Sequence, residues 1–311
     1  MLSVDSILSK IAETGKKQII LQAPDGLIRT AVKIIPDLIN AGYTVTLSGD
    51  PCYGACDLVQ HLDADTVLVH LGHAPVEERK NVIYELYQQD FNPEQIQLVL
   101  PHLTEKRIGL VTTVQHVHML PAIQETLKTK GYETVLGEPT KRTPYAGQVL
   151  GCSFGGARTD ACEILYIGTG VFHALGVHLA TGARVIAFDP YMRSCEEVTV
   201  RAFLTKRFSL IERAKEADIY GIIVSTKSGQ QRMELGEQLT ELHTNTILLS
   251  MKEVTPDQLL NIGLPCYVNT ACPRLAYDDQ PRFHGPVLSP QEFQIMCGVR
   301  TWDEYAIDEI L

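Results

Sequence analysis

Short apolar runs rich in β-branched residues alternate along the whole chain with amphipathic stretches, the pattern of βαβ units and parallel sheets. KKQIILQAP (16–24) reads as a strand. DGLIRTAVKIIPDLINAG follows as a helix with Ile28, Val32, Ile35, Leu38 and Ile39 on its apolar side, bent at Pro36 and ended by Gly42. YTVTLSG, DTVLVHLGH (65–73) and QIQLVL (95–100) read as further strands. The order then restarts with a strand in KRIGLVTTV (106–114), a helix in MLPAIQETLKTKG, and strands in YETVLG, EILYIGTG (163–170) and ARVIAFDP (183–190). A third round opens at ADIYGIIVST (217–226) and continues through a helix in QQRMELGEQLTELHTN and a strand in TILLSM. It closes with a short helix, Thr255 as N-cap and Pro256 at its first position, and the strand PCYVNT (265–270).

An internal echo identifies these rounds as repeats. AGYTVTLSGDP matches KGYETVLGEP, aligning Gly42 and Tyr43 with Gly131 and Tyr132, and Asp50 and Pro51 with Glu138 and Pro139. The expected fold is therefore α/β, with three homologous parallel-sheet domains over 1–102, 103–210 and 211–311, the last carrying a C-terminal extension. No low-complexity linker separates them, so they are expected to pack as one body.

Composition narrows the function. A net charge of -10 argues against direct binding of nucleic acid or an anionic membrane, because both need a positive field. No apolar run approaches the roughly 20 residues that span a bilayer, and MLSVDSILSKIAETGKK lacks a signal peptide's basic start and apolar core. A cytoplasmic protein is the expectation. The 8 cysteines are then thiols rather than a disulfide framework.

Most thiols of this kind are small buried hydrophobes. In each repeat, however, one cysteine falls in a loop beside a strand end: Cys56 in GDPCYGACD, Cys152 in VLGCSFGG and Cys272 in NTACPRLAYDD. The strand ends of parallel sheets carry functional loops, and three of them can converge. Gly54, Gly151, Gly155 and Gly156 leave room for a cluster's sulfides, and Pro273 follows its cysteine as in ferredoxin loops. Cys266 and Cys162 read as core residues, while Cys195 and Cys297 carry no signal. Cys52 and Cys56 form a CxxxC, half of a radical S-adenosylmethionine loop, but Val59 stands where the third thiolate would be. Spacing alone leaves an iron–sulfur cluster, a zinc site and plain core thiols all open.

The stretches GDPCYGACD (49–57), LGCSFG (150–155), DPYMR (189–193), STKSGQQR (225–232), NTACPRLAYDD (269–279) and PVLSPQEF (286–293) together resemble the archaeal radical enzymes of the first step of diphthamide biosynthesis. PDGL (24–27) is similar to that family's PEGL, with a shorter carboxylate. The resemblance implies a pseudo-threefold arrangement of three α/β domains around a central 4Fe-4S cluster held by Cys56, Cys152 and Cys272, and a homodimer. It implies transfer of the 3-amino-3-carboxypropyl group of S-adenosylmethionine to a histidine of archaeal elongation factor 2. Eukaryotic relatives keep YGAC without the earlier cysteine, which favours Cys56 over Cys52. The electron donor is not implied.

Beside this reading, GTGVFHALG (168–176) is a glycine-rich turn after a strand. Gly168, Thr169, Gly170 and His173 are candidate contacts for S-adenosylmethionine, with Gly229 and Gln230 in the corresponding place of the third repeat. Asp25 and Gly26 are weaker candidates. Arg158, Arg193, Lys227 and Arg274 lie in loops near these segments. His70, His73, His116 and His118 lie near strand ends, and their separation favours packing roles. No Ser-His-Asp set or carboxylate pair is evident, so no catalytic residue beyond the three cysteines is expected. A cluster-dependent dehydratase resembling quinolinate synthase, a non-catalytic electron relay and a zinc-bearing scaffold are the alternatives.

Overall fold

The structure, a computed structural model, describes residues 3–311; the first two residues of the segment read for a signal peptide lie outside it. The first sheet contains β1 (Gln18–Gln22), β2 (Thr44–Leu47), β3 (Thr66–Gly72) and β4 (Val82–Leu86) in the order β2-β1-β3-β4. The second contains β5 (Arg107–Thr112), β6 (Glu133–Val135), β7 (Glu163–Ile167), β8 (Arg184–Asp189) and β9 (Ser194–Glu197) in the order β6-β5-β7-β8-β9. The third contains β10 (Tyr220–Ser225), β11 (Thr246–Met251), β12 (Cys266–Asn269) and β13 (Val287–Leu288) in the order β11-β10-β12-β13. Every strand pairing is parallel except that of β9, which adds to β8 antiparallel at an edge. Leaving β9 aside, each sheet has its first strand inside, its second at one edge and its third and fourth on the other side. The fold is α/β, as the periodicity predicts.

The repeat is physical as well as topological. Gly42 and Gly131 both take left-handed backbone (φ 88° and 80°) just ahead of β2 and β6, a conformation that disfavours a side chain. The tyrosine after each glycine lies under a lysine from the start of the neighbouring first strand: Lys17 over Tyr43 at 4.9 Å, and Lys106 over Tyr132 at 4.3 Å.

Several local expectations change. The stretch 95–100 is part of a 3-10 helix, Pro93–His102, that buries Ile96 and Val99; their spacing of three suits that helix better than a strand. The fourth strand of the first sheet is instead β4, a half-buried edge whose mixed composition hides it. Helix Ile28–Asn40 buries Ala31, Ile34 and Leu38, while Val32 and Ile39 are exposed, so its inward face is turned from the expected one. Position 210 falls inside helix Arg201–Ala214, whose Ile211 and Ala214 join the core of the third sheet.

The cores show how the sheets are joined. Ile7, Ile11, Ile19, Leu21, Ala31, Leu38, Val67 and Val69 close the interior of the first sheet with no residue from the other two. The second and third sheets share one interior, from Val111, Phe154 and Tyr166 to Ile223, Tyr267 and Val287. Ala74, Val114 and Val117 form a small apolar joint between the first and second. Arg207 is buried against the third sheet, giving Nε to Glu292 Oε1 at 2.7 Å and Nη1 to the Ala276 carbonyl at 2.6 Å. Ser289 and Glu292 cap helix Pro290–Met296 reciprocally, so PVLSPQEF is a structural motif here. Among the described residues, no helix is long and apolar enough to cross a membrane.

Candidate functional site

Three loops, one from each sheet, meet at strand carboxyl ends: the loop after β2 with Cys56, the loop after β6 with Cys152, and the loop after β12 with Cys272. Their thiols lie within electrostatic reach of one another. Burial raises the Cys152 pKa to about 11, with a contribution from Cys56; burial raises that of Cys272 to about 12, with contributions from Cys152 and Cys56. Burial also raises Cys56, opposed by the Gln230 hydrogen bond and by Arg142. As free thiols all three are protonated at neutral pH, so a metal binding them displaces protons. Among the described residues, no three His, Cys, Asp or Glu converge as donors to a single ion would. Sulfurs at the corners of an iron–sulfide cube stand further apart than that.

Each loop is fixed by its own chemistry. Gln230 donates through Nε2 to the Cys56 sulfur at 3.1 Å. Gln22 donates to the Asp57 carbonyl at 2.9 Å, and Lys227, nearly buried, pairs with Asp57 and Glu253 at 2.8 Å each. Cys52 donates instead to the Gly54 carbonyl at 3.7 Å and is buried in the loop, with its pKa raised by burial to about 12. Around Cys152 the chain folds back on itself, with Leu150 and Ser153 exchanging main-chain hydrogen bonds. The Cys152 carbonyl accepts from Ile310 N at 2.8 Å, and Phe154 N donates to Glu309 at 2.8 Å, so the C-terminal extension braces this loop. Cys272 is the N-cap of helix Pro273–Tyr277, and its carbonyl accepts from Asn269 Nδ2 at 2.8 Å. Arg232 ties the Thr270 carbonyl (2.7 Å) to Asp308 (2.6 Å).

The glycines are tight for different reasons. A Cβ on Gly151 would stand 2.8 Å from the Phe172 ring, and one on Gly155 would stand 2.5 Å from Thr140, so both are demanded by loop packing. Gly54 has ordinary room beside the Cys56 sulfur.

The other candidates divide. Gly168 and Gly170 have φ 156° and 73°, and the turn they form leads into helix Phe172–Thr181. His173 stacks on Tyr166 at 6.1 Å, and burial, then Arg274, lowers its pKa to about 4. Arg274 lies 5.3 Å over the Phe172 ring, so this turn adjoins both Gly151 and the Cys272 helix. Thr169 is exposed at the turn's tip. Gln230 points at the Cys56 sulfur, while Gly229 lies against the Cys56 main chain. Asp25 and Gly26 open the 3-10 turn after β1 and touch none of the three cysteines among the described hydrogen bonds. Arg158 pairs with Glu309, and Arg193 is exposed. Cys266 is a core residue, but Cys162 is exposed. His70 and His73 prove to be partners, with Nε2 and Nδ1 3.1 Å apart, whereas His116 and His118 bond separately to the Gln89 carbonyl and Asp90.

The sequence reading missed Arg142, nearly buried beside Cys152 and Gly229. In KRTPY it looks like a solvated loop cation, and only its tertiary setting distinguishes it.

Comparison with known proteins finds relatives along nearly the whole chain. The family model described as "Putative diphthamide synthesis protein" matches residues 23–307. The 2-(3-amino-3-carboxypropyl)histidine synthase of Pyrococcus horikoshii is 33% identical, with 98% of this chain and 92% of that protein covered. The synthase of Methanocaldococcus jannaschii is 24% identical, covering 99% and 93%. The crystal structure of Dph2 from Pyrococcus horikoshii with a 4Fe-4S cluster superposes with a TM-score of 0.94 at 32% identity, over 100% of this chain and 94% of that one. On its sequence and its fold alike, this chain belongs to the diphthamide synthesis protein family.

Proposed function

We propose that this protein is a 2-(3-amino-3-carboxypropyl)histidine synthase that binds a 4Fe-4S cluster through Cys56, Cys152 and Cys272 and uses S-adenosylmethionine as its group donor. The observation that supports it is that three thiols, each on a loop from a different sheet, are close enough for one to raise the pKa of another. Family membership and the likeness to a cluster-bearing Dph2 support the reading.

When bound, the cluster would supply one electron for cleavage of the bond between the sulfonium and the aminocarboxypropyl carbon, with methylthioadenosine leaving; bond formation at an imidazole carbon of the target histidine would release a proton and one electron, which replaces the electron supplied, so the transfer is redox-neutral overall. The protein's own residues orient and shield. Cys56, Cys152 and Cys272 would hold the cluster with one iron left free of protein ligands for the donor. Gln230 gives a hydrogen bond to the Cys56 sulfur, which stabilises its thiolate form. The turn Gly168–Thr169–Gly170 would meet the donor through the amides of Thr169 and Gly170, that of Gly168 being bonded to the Phe188 carbonyl at 3.0 Å, with His173, held neutral by burial, beside it.

The reading extends to a homodimer in a cytoplasmic setting, a pseudo-threefold arrangement of the three units, and archaeal elongation factor 2 as protein substrate. Anaerobic reconstitution, reduction with S-adenosylmethionine and mass analysis test it. Methylthioadenosine and a modified histidine are expected. Formation of 5'-deoxyadenosine, or full activity in C56A, C152A or C272A protein, would overturn it.

A further inference from the structure

One buried cation in the site has no matching anion. Arg142 is 8% exposed, in the loop between β6 and Cys152 that is closed by the Thr140–Thr143 hydroxyl bond of 2.7 Å. Its Nη2 donates to the Gly229 carbonyl at 3.0 Å and stands 3.9 Å from the Cys152 sulfur. Its Nε is buried and makes no hydrogen bond. The other buried cations, Arg207 and Lys227, and the part-buried Arg232 each have a carboxylate: Glu292, Asp57 and Asp308 respectively. Among the described residues, no carboxylate pairs with Arg142.

A guanidinium taken out of water without a counter-charge is strongly disfavoured, so the fold must gain an anion at this point. Sulfur is the acceptor within reach. Its Nη2 lies 3.9 Å from the Cys152 sulfur, so the charge sits on the cysteine side of the loop. Through Gly229 it also props the segment lying against the Cys56 main chain.

Resting on the cluster reading above, we propose that Arg142 is the fixed counter-charge of the cluster, a positioning residue that lies against the Cys152 thiolate and makes the centre easier to reduce. Three thiolates outweigh the charge of an oxidised core, and reduction adds one more negative charge. A fixed positive charge in a low-dielectric surrounding stabilises the reduced form more than the oxidised one. Reduction is the difficult half of this reaction, and a built-in cation eases it before any donor binds.

The test is a redox titration of the reconstituted protein without S-adenosylmethionine, comparing the wild type with R142Q and R142K by the spectrum of the reduced cluster. R142Q is expected to have a midpoint more negative than wild type, and R142K to recover most of the difference. Thermal unfolding of the cluster-free proteins is the second readout. R142Q should be at least as stable as wild type there, because it removes an unmatched buried charge. Equal midpoints in all three proteins would overturn the proposal. So would a cluster-free R142Q that unfolds at lower temperature, or failure of both variants to retain iron although they are folded. If the wild type takes up no cluster, the proposed function itself fails; if it does and the midpoints coincide, only the role of Arg142 fails.

Discussion

Gly229 lies flush against Cys56: a Cβ at residue 229 would stand 2.5 Å from the Cys56 Cα and 2.8 Å from its Cβ. The third sheet's loop thus sets the depth at which the first sheet's cysteine sits. G229A must push the Cys56 loop away, at about 1–3 kcal/mol of stability. The displaced sulfur should hold iron poorly, so iron per chain after desalting is expected to fall well below wild type while far-UV circular dichroism is unchanged.

Cys52 and Cys56 stand four residues apart but have different surroundings. The Cys52 thiol donates to the Gly54 carbonyl, while the Cys56 sulfur accepts from Gln230. C52A should therefore retain the cluster and its turnover, losing only about 0.5–1.5 kcal/mol for the broken hydrogen bond. C56A should lose both. Iron and sulfide analysis of the two variants side by side checks this.

Arg207 is matched inside the third unit by Glu292, which also accepts from Tyr305 at 2.9 Å. E292Q leaves the guanidinium in place without its anion, a change that costs about 3–5 kcal/mol in buried pairs. A lower urea midpoint at an unchanged slope is the expected result, and E292Q should still bind iron at low temperature.

His70 and His73 give the protein an acid-sensitive joint. Burial, then His73, lowers the His70 pKa to about 3, and burial lowers that of His73 to about 4, both from 6.5. Between those values and 6.5 the unfolded chain binds protons that the folded one refuses. Stability is therefore complete above about pH 6.5 and falls as pH drops toward 4, by at most about 1.4 kcal/mol per unit for each ring. Cluster-free protein should unfold at lower temperature at pH 5 than at pH 7, and H70Q should show a smaller difference.

The sheets were legible because their strands are buried on both faces and read as unbroken apolar runs: every residue of β3, β7 and β10 is buried. The edge strands β4 and β9 were not. β4 is half-buried, and β9 carries Ser194, Glu196 and Glu197, so neither produces that signal. The cysteine loops announced themselves through glycine and proline. Arg142 and the His70–His73 contact did not, since each depends on which loops the fold brings together. Pairing across 87 residues, as between Arg142 and Gly229, leaves no local trace.

The uneven division of the interior has a mechanical consequence. Because Val111, Tyr166, Ile223 and Val287 belong to one continuous apolar mass, the second and third sheets form a cooperative block, while residues 4–87 close an interior of their own. Slow amide exchange should then fall into two protection classes. Cys152 and Cys272 ride on that block, whereas the Cys56 loop is moored to it by polar contacts, Gln230 on the Cys56 sulfur and Lys227 on Asp57, so the first unit's hold on the centre depends on those few bonds rather than on a shared apolar interior.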